Sequence, residues 1–186
     1  MTRIVAGAQG GRRLATPSGA GTRPTSDRVR EALFSALEAM TELAGCRFVD
    51  LFAGSGAVGL EAASRGAASV LLVESDTRAA KVIRANVATL GLASVCRVAA
   101  AKVSTVLATE PDEPYDIVFA DPPYDVTDAA LAPALDQLVV GGWLASGAVL
   151  VVERSTRSPE PPWPRDVTLE RSRRYGESTL WYGRRA

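Results

Sequence analysis

The stretch DLFAGSGAVG, residues 50–59, places an acidic residue and three glycines between a predicted strand and a predicted helix. Gly54, Gly56 and Gly59 have the spacing G-x-G-x-x-G, which in a strand–turn–helix unit lets the backbone approach a nucleotide-like ligand. Glu74 follows Gly54 by 20 residues, at the end of the next predicted strand. A carboxylate there can accept hydrogen bonds from both ribose hydroxyls, so the stretch predicts a nucleoside cofactor.

Asp50 distinguishes between two kinds of nucleoside cofactor. We predict its carboxylate at the end of the first parallel strand, where a dinucleotide would place its pyrophosphate. Like charges in a partly dry crevice repel by several kcal/mol. S-adenosylmethionine instead presents an ammonium and a sulfonium, so we expect this cofactor, with S-adenosylhomocysteine as product and NAD as the alternative. A second interpretation is that Asp50 only caps the following turn.

The segments around this loop alternate between strand and helix patterns. Repeated βα units of this kind predict an α/β fold with a doubly wound, mostly parallel sheet, whose ligands bind at the carboxyl ends of the strands. Strand patterns lie at 48–52, 70–74, 95–99, 116–120 and 148–152, helical patterns at 25–45, 54–64, 77–90 and 127–140, an N-terminal hairpin arm at 3–6 and 12–15, and an antiparallel pair at 167–169 and 179–182.

The segment Asp121-Pro122-Pro123-Tyr124 directly follows the fourth of these parallel strands. An exocyclic amine of a base is a poor nucleophile because its lone pair is delocalised into the ring. The Asp121 carboxylate and the Pro122 carbonyl can accept hydrogen bonds from its two N–H groups, which aims the lone pair at a methyl group. The prolines keep the segment extended, and the Tyr124 ring can stack on the base with about 1–3 kcal/mol. The segment therefore predicts amino-methyl transfer, whereas the simpler interpretation is a strand-ending turn.

Charge is unevenly distributed along the 186 residues, although 21 basic residues balance 21 acidic ones. Residues 1–30 carry a net +5, residues 154–186 a net +4 and residues 31–153 a net −9. Two basic ends that fold side by side would form a surface for nucleic acid, although solvated arginines would give the same pattern.

Several classes of protein are excluded or disfavoured. The chain has no histidine, which excludes Ser-His-Asp triads, Cys-His pairs and His-ligated zinc. Cys46 and Cys96 do not have metal-site spacing, so we expect no metal and a reducing compartment. No apolar stretch has the length of a membrane span and no signal-peptide pattern is present, so we expect a cytoplasmic protein without membrane contact.

A longer set of motifs resembles one family. The loop at 50–59 with Asp121–Tyr124 resembles the class I amino-methyltransferases, and Thr22–Phe34 resembles the signature of the bacterial 16S rRNA guanine-N2 methyltransferases of the RsmD family. Residues 3–7, 11–14 and 59–66 match the same family. The resemblance implies a Rossmann-like domain with a seven-stranded sheet. It also implies methylation of the exocyclic N2 of one guanine in 16S rRNA, of the type at position 966, within the assembling 30S subunit and its ribosomal proteins.

The resemblance also implies roles for individual residues. Two departures from the family are Ala100–Lys102, where relatives often place Asn or Asp to bind the adenine, and Ala6–Ala8, where they often have paired glycines. We expect cofactor contacts from Asp50, Phe52, Gly54, Gly56, Glu74, Ser75 and Asp121, catalysis by Asp121, Pro122 and Tyr124, and RNA contacts from Arg3, Arg12, Arg13, Arg23, Thr25, Arg28, Pro123 and Tyr124.

Other interpretations stay open from the sequence alone. The Asp121 chemistry also suits adenine N6, cytosine N4 or a protein glutamine, and the glycine spacing also suits an NAD-dependent oxidoreductase. An assembly factor with a vestigial site is a third possibility, and the role of Glu153 is undecided. We expect a monomer with an RNA-contacting arm at 1–24 and a methyltransferase domain at 25–186.

Overall fold

The computed structural model describes residues 2–18 and 25–186. The strands are β1 (Thr2–Arg3), β2 (Arg13–Leu14), β3 (Arg47–Leu51), β4 (Ser69–Val73), β5 (Cys96–Ala99), β6 (Tyr115–Ala120), β7 (Leu144–Ser155), β8 (Val167–Tyr175) and β9 (Ser178–Arg185). The helices are α1 (Asp27–Met40), α2 (Ala57–Ser64), α3 (Thr77–Thr89), α4 (Val103–Leu107) and α5 (Asp128–Val140).

Seven of the described strands form one sheet in the order β5-β4-β3-β6-β7-β9-β8. The five from β5 to β7 are parallel, and β9 runs antiparallel to both β7 and β8. The chain builds outward from β3 to β5 and then returns to β6, so the strand order reverses between β3 and β6. The loops after these two strands diverge, which opens a crevice at the carboxyl edge of the sheet. The predicted mostly parallel α/β fold is confirmed.

Helices cover both faces of this sheet. Phe48 of β3 packs with Phe34 of α1 in the cluster that also contains α2 and α3, whereas the next residue, Val49, packs on the other face with Leu131 of α5. Each central strand is therefore buried on both sides, which explains its continuous apolar sequence. Across the described ranges, no helix combines the length and apolar character that a membrane span requires.

Helix α1 begins as predicted and ends earlier than predicted. The Ser26 hydroxyl caps it by accepting a hydrogen bond from the Val29 N–H at 3.2 Å. The predicted end near Gly45 is wrong, because Thr41 already has an extended backbone and closes the helix by donating to the Leu37 carbonyl. The residues after α1 form the turn that leads into β3.

The strands of the N-terminal arm are shorter than the predicted 3–6 and 12–15. The N–H groups of Val5 and Ala6 do not continue the ladder, because they donate to the Glu61 carboxylate on α2 at 2.8 and 3.0 Å. The arm therefore changes its hydrogen-bonding partner after one short antiparallel pair.

The arm is fastened to the body of the protein along its length. Ile4 is fully buried in the core, and Asn86 of α3 both donates to and accepts from the backbone of Ala15. A Cβ on Gly7 would lie 2.1 Å from the Ser64 carbonyl oxygen, so only glycine permits this close approach. The arm is thus held by helices α2 and α3.

Candidate active site

A cavity of about 1250 Å³ opens at the carboxyl edge of the sheet, where β3 and β6 diverge. Residues from both ends of the chain line it, including Thr16, Thr25 and Tyr175. The lining also includes the predicted site residues Asp50, Phe52, Gly54, Glu74, Ser75, Asp121, Pro122, Pro123 and Tyr124.

Asp50 lies at the base of this cavity with only 1% of its surface exposed. Its Oδ2 accepts a hydrogen bond from the Gly59 N–H at 2.9 Å, which fixes the carboxylate against the start of α2. Burial raises the pKa of Asp50 to about 7; the Gly59 hydrogen bond acts in the opposite direction, and the nearby Glu74 charge adds to the increase. Asp50 therefore both caps the loop and presents a poorly solvated negative charge that a cationic ligand would stabilise.

Two different constraints favour glycine at positions 54, 56 and 59. Gly54 and Gly56 have positive φ of 58° and 81°, which favours glycine at both positions. A Cβ on Gly59 would lie 2.7 Å from Leu72 Cδ2, so Gly59 permits α2 to pack closely on β4. Apart from its two neighbours in the chain, no described residue lies within 4 Å of the corresponding point on Gly54, which leaves room for a ligand.

Phe52, which lies two residues before Gly54, also has a positive φ of 59°. For a bulky side chain this backbone conformation is a strained one, and such strain is concentrated at functional sites. The following N–H, that of Ala53, donates to the Val73 carbonyl at 2.8 Å and ties the turn to β4. The turn after β3 is thus held in one conformation.

Glu74 is oriented by backbone N–H groups. Its Oε1 accepts from Gly54 and its Oε2 from Asp76, both at 2.8 Å. Each carboxylate oxygen has a second lone pair, so both can still accept from a ligand hydroxyl. Lys102 and Ser104 line the same side of the cavity, at the position after β5 where the sequence departs from the family.

Asp121 occupies the first position after β6 and is only partly exposed. Leu51 pairs with Ala120 in the parallel register, so the chain leaves β3 and β6 at the same level. Burial raises the pKa of Asp121 well above its usual value, and the negative charges of Glu153 and Asp50 raise it further, whereas Arg154 lowers it. Asp50 and Asp121 thus lie in one cavity and influence each other electrostatically.

The residues after Asp121 differ sharply in exposure. Pro122 is buried, Pro123 is exposed, and the Tyr124 side chain is 69% exposed at the cavity rim. A large aromatic ring left open to solvent beside a cavity is available for stacking.

The arginines predicted to contact RNA are in different states. Arg3 forms an ion pair with Asp27 at 3.0 Å, and Arg12 donates to the Thr89 carbonyl at 2.9 Å. Arg13 and Arg28 are exposed and have no side-chain hydrogen bond or ion pair with any residue in the described ranges. Arg23 lies outside the described residues.

Three further polar residues line the cavity: Glu153, whose role the motifs leave undecided, and Arg154 and Ser178, which no motif predicts. Glu153 and Arg154 lie at the end of β7, beside Asp121, and Ser178 begins β9; all three line the cavity. Arg154 donates to the Val126 carbonyl at 2.7 Å, which fastens the segment that follows Tyr124. Strand position could have identified the residues on β7, because a polar residue at the end of a neighbouring parallel strand reaches the same carboxyl edge of the sheet.

The sheet order, with a glycine loop after β3 and an Asp-Pro-Pro-Tyr segment after β6, defines a Rossmann-like protein of the class I methyltransferase fold. The solved structure of Escherichia coli yhhF, described as a candidate methyltransferase, has a TM-score of 0.87 and 37% identity, with 98% of this chain and 97% of that chain covered. A hypothetical protein of Thermus thermophilus has a TM-score of 0.82 and 36% identity, with 98% of each chain covered.

Sequence comparison narrows this class to one family. The model of the family described as conserved hypothetical protein 95 matches residues 2–184. Ribosomal RNA small subunit methyltransferase D of Escherichia coli K12 is 39% identical over 175 residues, which cover 94% of this chain and 85% of that protein. The protein of the same name from Haemophilus influenzae is 36% identical over 159 residues, covering 84% and 80%. The chain belongs to this family, the RsmD family, and the predicted resemblance is confirmed.

Proposed function

We propose that the protein transfers a methyl group from S-adenosylmethionine to the exocyclic N2 of a guanine in 16S rRNA, within the assembling small subunit. The observation that carries this proposal is that Asp50 and Asp121, which end adjacent strands, line one cavity. One carboxylate is available for a cationic methyl donor and the other for an amine. The family relatives named ribosomal RNA small subunit methyltransferase D support an rRNA substrate, which also implies a cytoplasmic location.

The cofactor half of the cavity fits S-adenosylmethionine. The open space over Gly54 accepts the nucleoside, Glu74 accepts hydrogen bonds from the ribose, and Phe52 and Ser75 border them. When bound, the cofactor supplies a methyl group activated by its sulfonium. The carboxylates of Asp50, Asp121 and Glu153 favour a cation and would repel the pyrophosphate of NAD, which disfavours the oxidoreductase alternative.

The substrate half of the cavity fits a flat base that carries an amino group. We assign to Asp121 and to the carbonyl of Pro122 the two N–H groups of N2, so that the nitrogen lone pair points toward the methyl group. Tyr124, beside Pro123 at the rim, stacks on the base once that base has left the RNA helix. Catalysis is then mainly alignment, which requires no histidine and no metal.

Recognition of the RNA is assigned to basic residues of the N-terminal arm and of α1. Arg13 and Arg28 are the better placed of the described candidates, because they are exposed and form no ion pair with described residues. Arg3 and Arg12 would have to exchange existing partners, while Thr25 lines the cavity itself. We assign residues 1–24 to an RNA-contacting arm on a methyltransferase domain at 25–186.

We propose that site selection also uses the shape of the assembling particle. We therefore expect assembled small subunits to be methylated and protein-free 16S rRNA to be a poor substrate. Equal rates on both would contradict the role of the ribosomal proteins without affecting the chemistry.

Deletion of the gene, followed by mass spectrometry of 16S rRNA nucleosides, tests the proposal. We expect the strain to lose one N2-methylguanosine, with primer extension placing it at the position equivalent to guanine 966. The wild-type gene should restore the modification, whereas an Asp121→Ala gene should not. Loss of N6-methyladenosine, N4-methylcytidine or a methylated protein glutamine would instead support one of the other amino-methyltransferase activities.

A further inference from the structure

Glu153 places a second carboxyl group beside Asp121. Ala120 of β6 pairs with Val152 of β7, so Asp121 and Glu153 are the next residues on two adjacent parallel strands. The Glu153 residue is only 8% exposed, and a buried carboxyl group is unfavourable unless it is paired or protonated.

The contacts of Glu153 show how this carboxyl group is held. Its carboxyl group lies beside that of Asp121, and Ser178 lines the same cavity. Burial raises the pKa of Glu153, whereas hydrogen bonding to Ser178 and Asp121 lowers it. Its Oε2 is buried and has no hydrogen-bond partner within the described residues. Two carboxyl groups in direct contact cannot both ionise without strong repulsion, so such a pair retains one proton.

The charged and titratable neighbours of the pair support this protonation state. Asp50 faces it from β3 and Glu177 lines the same cavity at the β8–β9 turn, whereas Arg154 on β7 supplies positive charge. Tyr182 of β9 also interacts with Glu153, and burial together with the Glu153 charge raises the pKa of this phenol. Burial raises the pKa of Glu153, and burial together with the Glu153 charge raises that of Asp121. Both directions favour the state in which the pair holds one proton.

We propose, on the basis of the methyl transfer proposed above, that Asp121 and Glu153 act as one carboxyl pair that releases its shared proton when the cationic methyl donor binds and takes up the proton that N2 loses. Asp121 contacts the amine, and Glu153 is a positioning residue that acts through Asp121. Binding of the cationic methyl donor thus leaves Asp121 able to accept a proton from the substrate amine.

The electron and proton balance of this step closes within the cavity. The N2 lone pair forms the new N–C bond, the S–C bond breaks with its electrons left on sulfur, and the sulfonium charge disappears. N2 then carries one surplus proton, which moves to Asp121. The pair again holds one proton, as in the free protein, so one proton is released to solvent on donor binding and none is lost afterwards.

Isothermal titration calorimetry in buffers of different ionisation enthalpy measures the released protons directly. At pH 6.5, S-adenosylmethionine should release about one proton more than S-adenosylhomocysteine, because only the former carries the sulfonium. Both ligands have the same amino-acid group, so proton release from Asp50 is common to both. The difference should vanish in Glu153→Gln, where Asp121 loses its proton-sharing partner, and persist in the exposed control Asp136→Asn.

The pH profile of methyl transfer separates this role from a merely structural one. In Glu153→Gln the acid limb should move to lower pH, with kcat about tenfold lower at the plateau. In Ser178→Ala it should move to higher pH, because the Ser178 hydrogen bond lowers the pKa of Glu153. Loss of packing is not expected to shift the acid limb in opposite directions in the two variants. Ser178→Ala also tests the pair if Glu153→Gln does not fold.

Two results would overturn the inference while leaving the proposed function intact. One is equal proton release by the two ligands in the wild-type protein, and the other is an unchanged difference in Glu153→Gln. Failure of the proposed function has a different signature, since neither ligand would then bind or no methyl group would reach N2.

Discussion

The two halves of the cavity hold their carboxylates in different ways. In the cofactor half, backbone N–H groups of Gly59 and Gly54 donate to Asp50 and Glu74. In the substrate half, the carboxyl groups of Asp121 and Glu153 lie side by side at the ends of adjacent strands, and the Tyr124 ring stands open to solvent. The cofactor half is therefore organised before any ligand binds. In the substrate half, the amine of a bound substrate would supply the hydrogen-bond donors for the carboxyl groups.

This difference separates binding from reaction. On the proposed function, groups fixed by the backbone should set the affinity for the cofactor, while groups that find their partners only in the substrate complex should set the rate of transfer. Substitutions in the two halves should consequently affect different constants.

Asp121→Ala should have the largest effect on rate. Removal of the carboxylate leaves the amine unaligned, so kcat should fall by about 10³-fold. The affinity for S-adenosylhomocysteine should stay within about threefold, because Asp50, Glu74 and the glycine loop are untouched. Single-turnover methyl transfer and calorimetry measure the two quantities, and an equal loss in both would remove the distinction between the halves.

Asp50→Asn should have the opposite pattern. The amide keeps an oxygen that can accept from the Gly59 N–H but loses the charge, so the Kd for S-adenosylmethionine should rise about 10–100-fold. At saturating cofactor, kcat should change much less. Asp136→Asn, which neutralises an exposed residue on α5, is the matched control. Unchanged affinity in Asp50→Asn would show that this carboxylate only caps the turn.

The same substitution should change how stability depends on pH. The pKa of Asp50 is raised to about 7, so between about pH 4 and pH 7 the folded protein binds more protons than the unfolded chain. The free energy of unfolding without ligand should therefore fall by about 2–4 kcal/mol as pH rises through this window. Urea unfolding at pH 5 and pH 8 should show a smaller decrease in Asp50→Asn, and an equal decrease would contradict the assigned origin.

A pair of glycine substitutions sharpens the comparison within the cofactor half. Gly59→Ala should lower the free energy of unfolding by about 1–3 kcal/mol, because its Cβ would overlap Leu72. Gly54→Ala should cost about 1 kcal/mol through its positive φ, and should also weaken cofactor binding. Urea unfolding and calorimetry separate the two effects, and a larger stability loss in Gly54→Ala would reverse the assignment.

Tyr124→Ala should have the smallest effect. Loss of one stacking surface should raise the KM for the RNA about tenfold, and Tyr124→Phe, which keeps the ring, should resemble the wild type. Steady-state methylation of assembled subunits measures both. A defect of equal size in Tyr124→Phe would indicate that the hydroxyl, rather than the ring, contacts the substrate.

Most of the fold was predictable because its signals are local in the sequence. Strands β3, β4 and β6 are apolar runs ended by glycine turns or acidic residues, and Ser26 starts α1 through its own hydroxyl. Helix α4 was missed because five residues are too few for a periodic pattern. The arm strands were predicted too long because Glu61, distant in sequence, takes the N–H groups of Val5 and Ala6.

The cavity was only partly predictable for a related reason. Asp50, Glu74 and Asp121 end strands that motifs identify, so their convergence follows from strand order. The contact between Glu153 and Asp121 depends on the register of β6 with β7, which no motif encodes. Likewise, Arg3 pairs with Asp27 because the arm docks on the domain. The charge of Arg3 alone could therefore not reveal whether this side chain is free.

The central claim is that the carboxylates of Asp50 and Asp121 act in one cavity to methylate a guanine amine. The most direct measurement incubates the purified protein with assembling small subunits and methyl-labelled S-adenosylmethionine, and then identifies the labelled nucleoside by mass spectrometry. We predict label only in N2-methylguanosine of 16S rRNA, and none with Asp121→Ala. Label on another base or on protein, or undiminished label with Asp121→Ala, would contradict the claim.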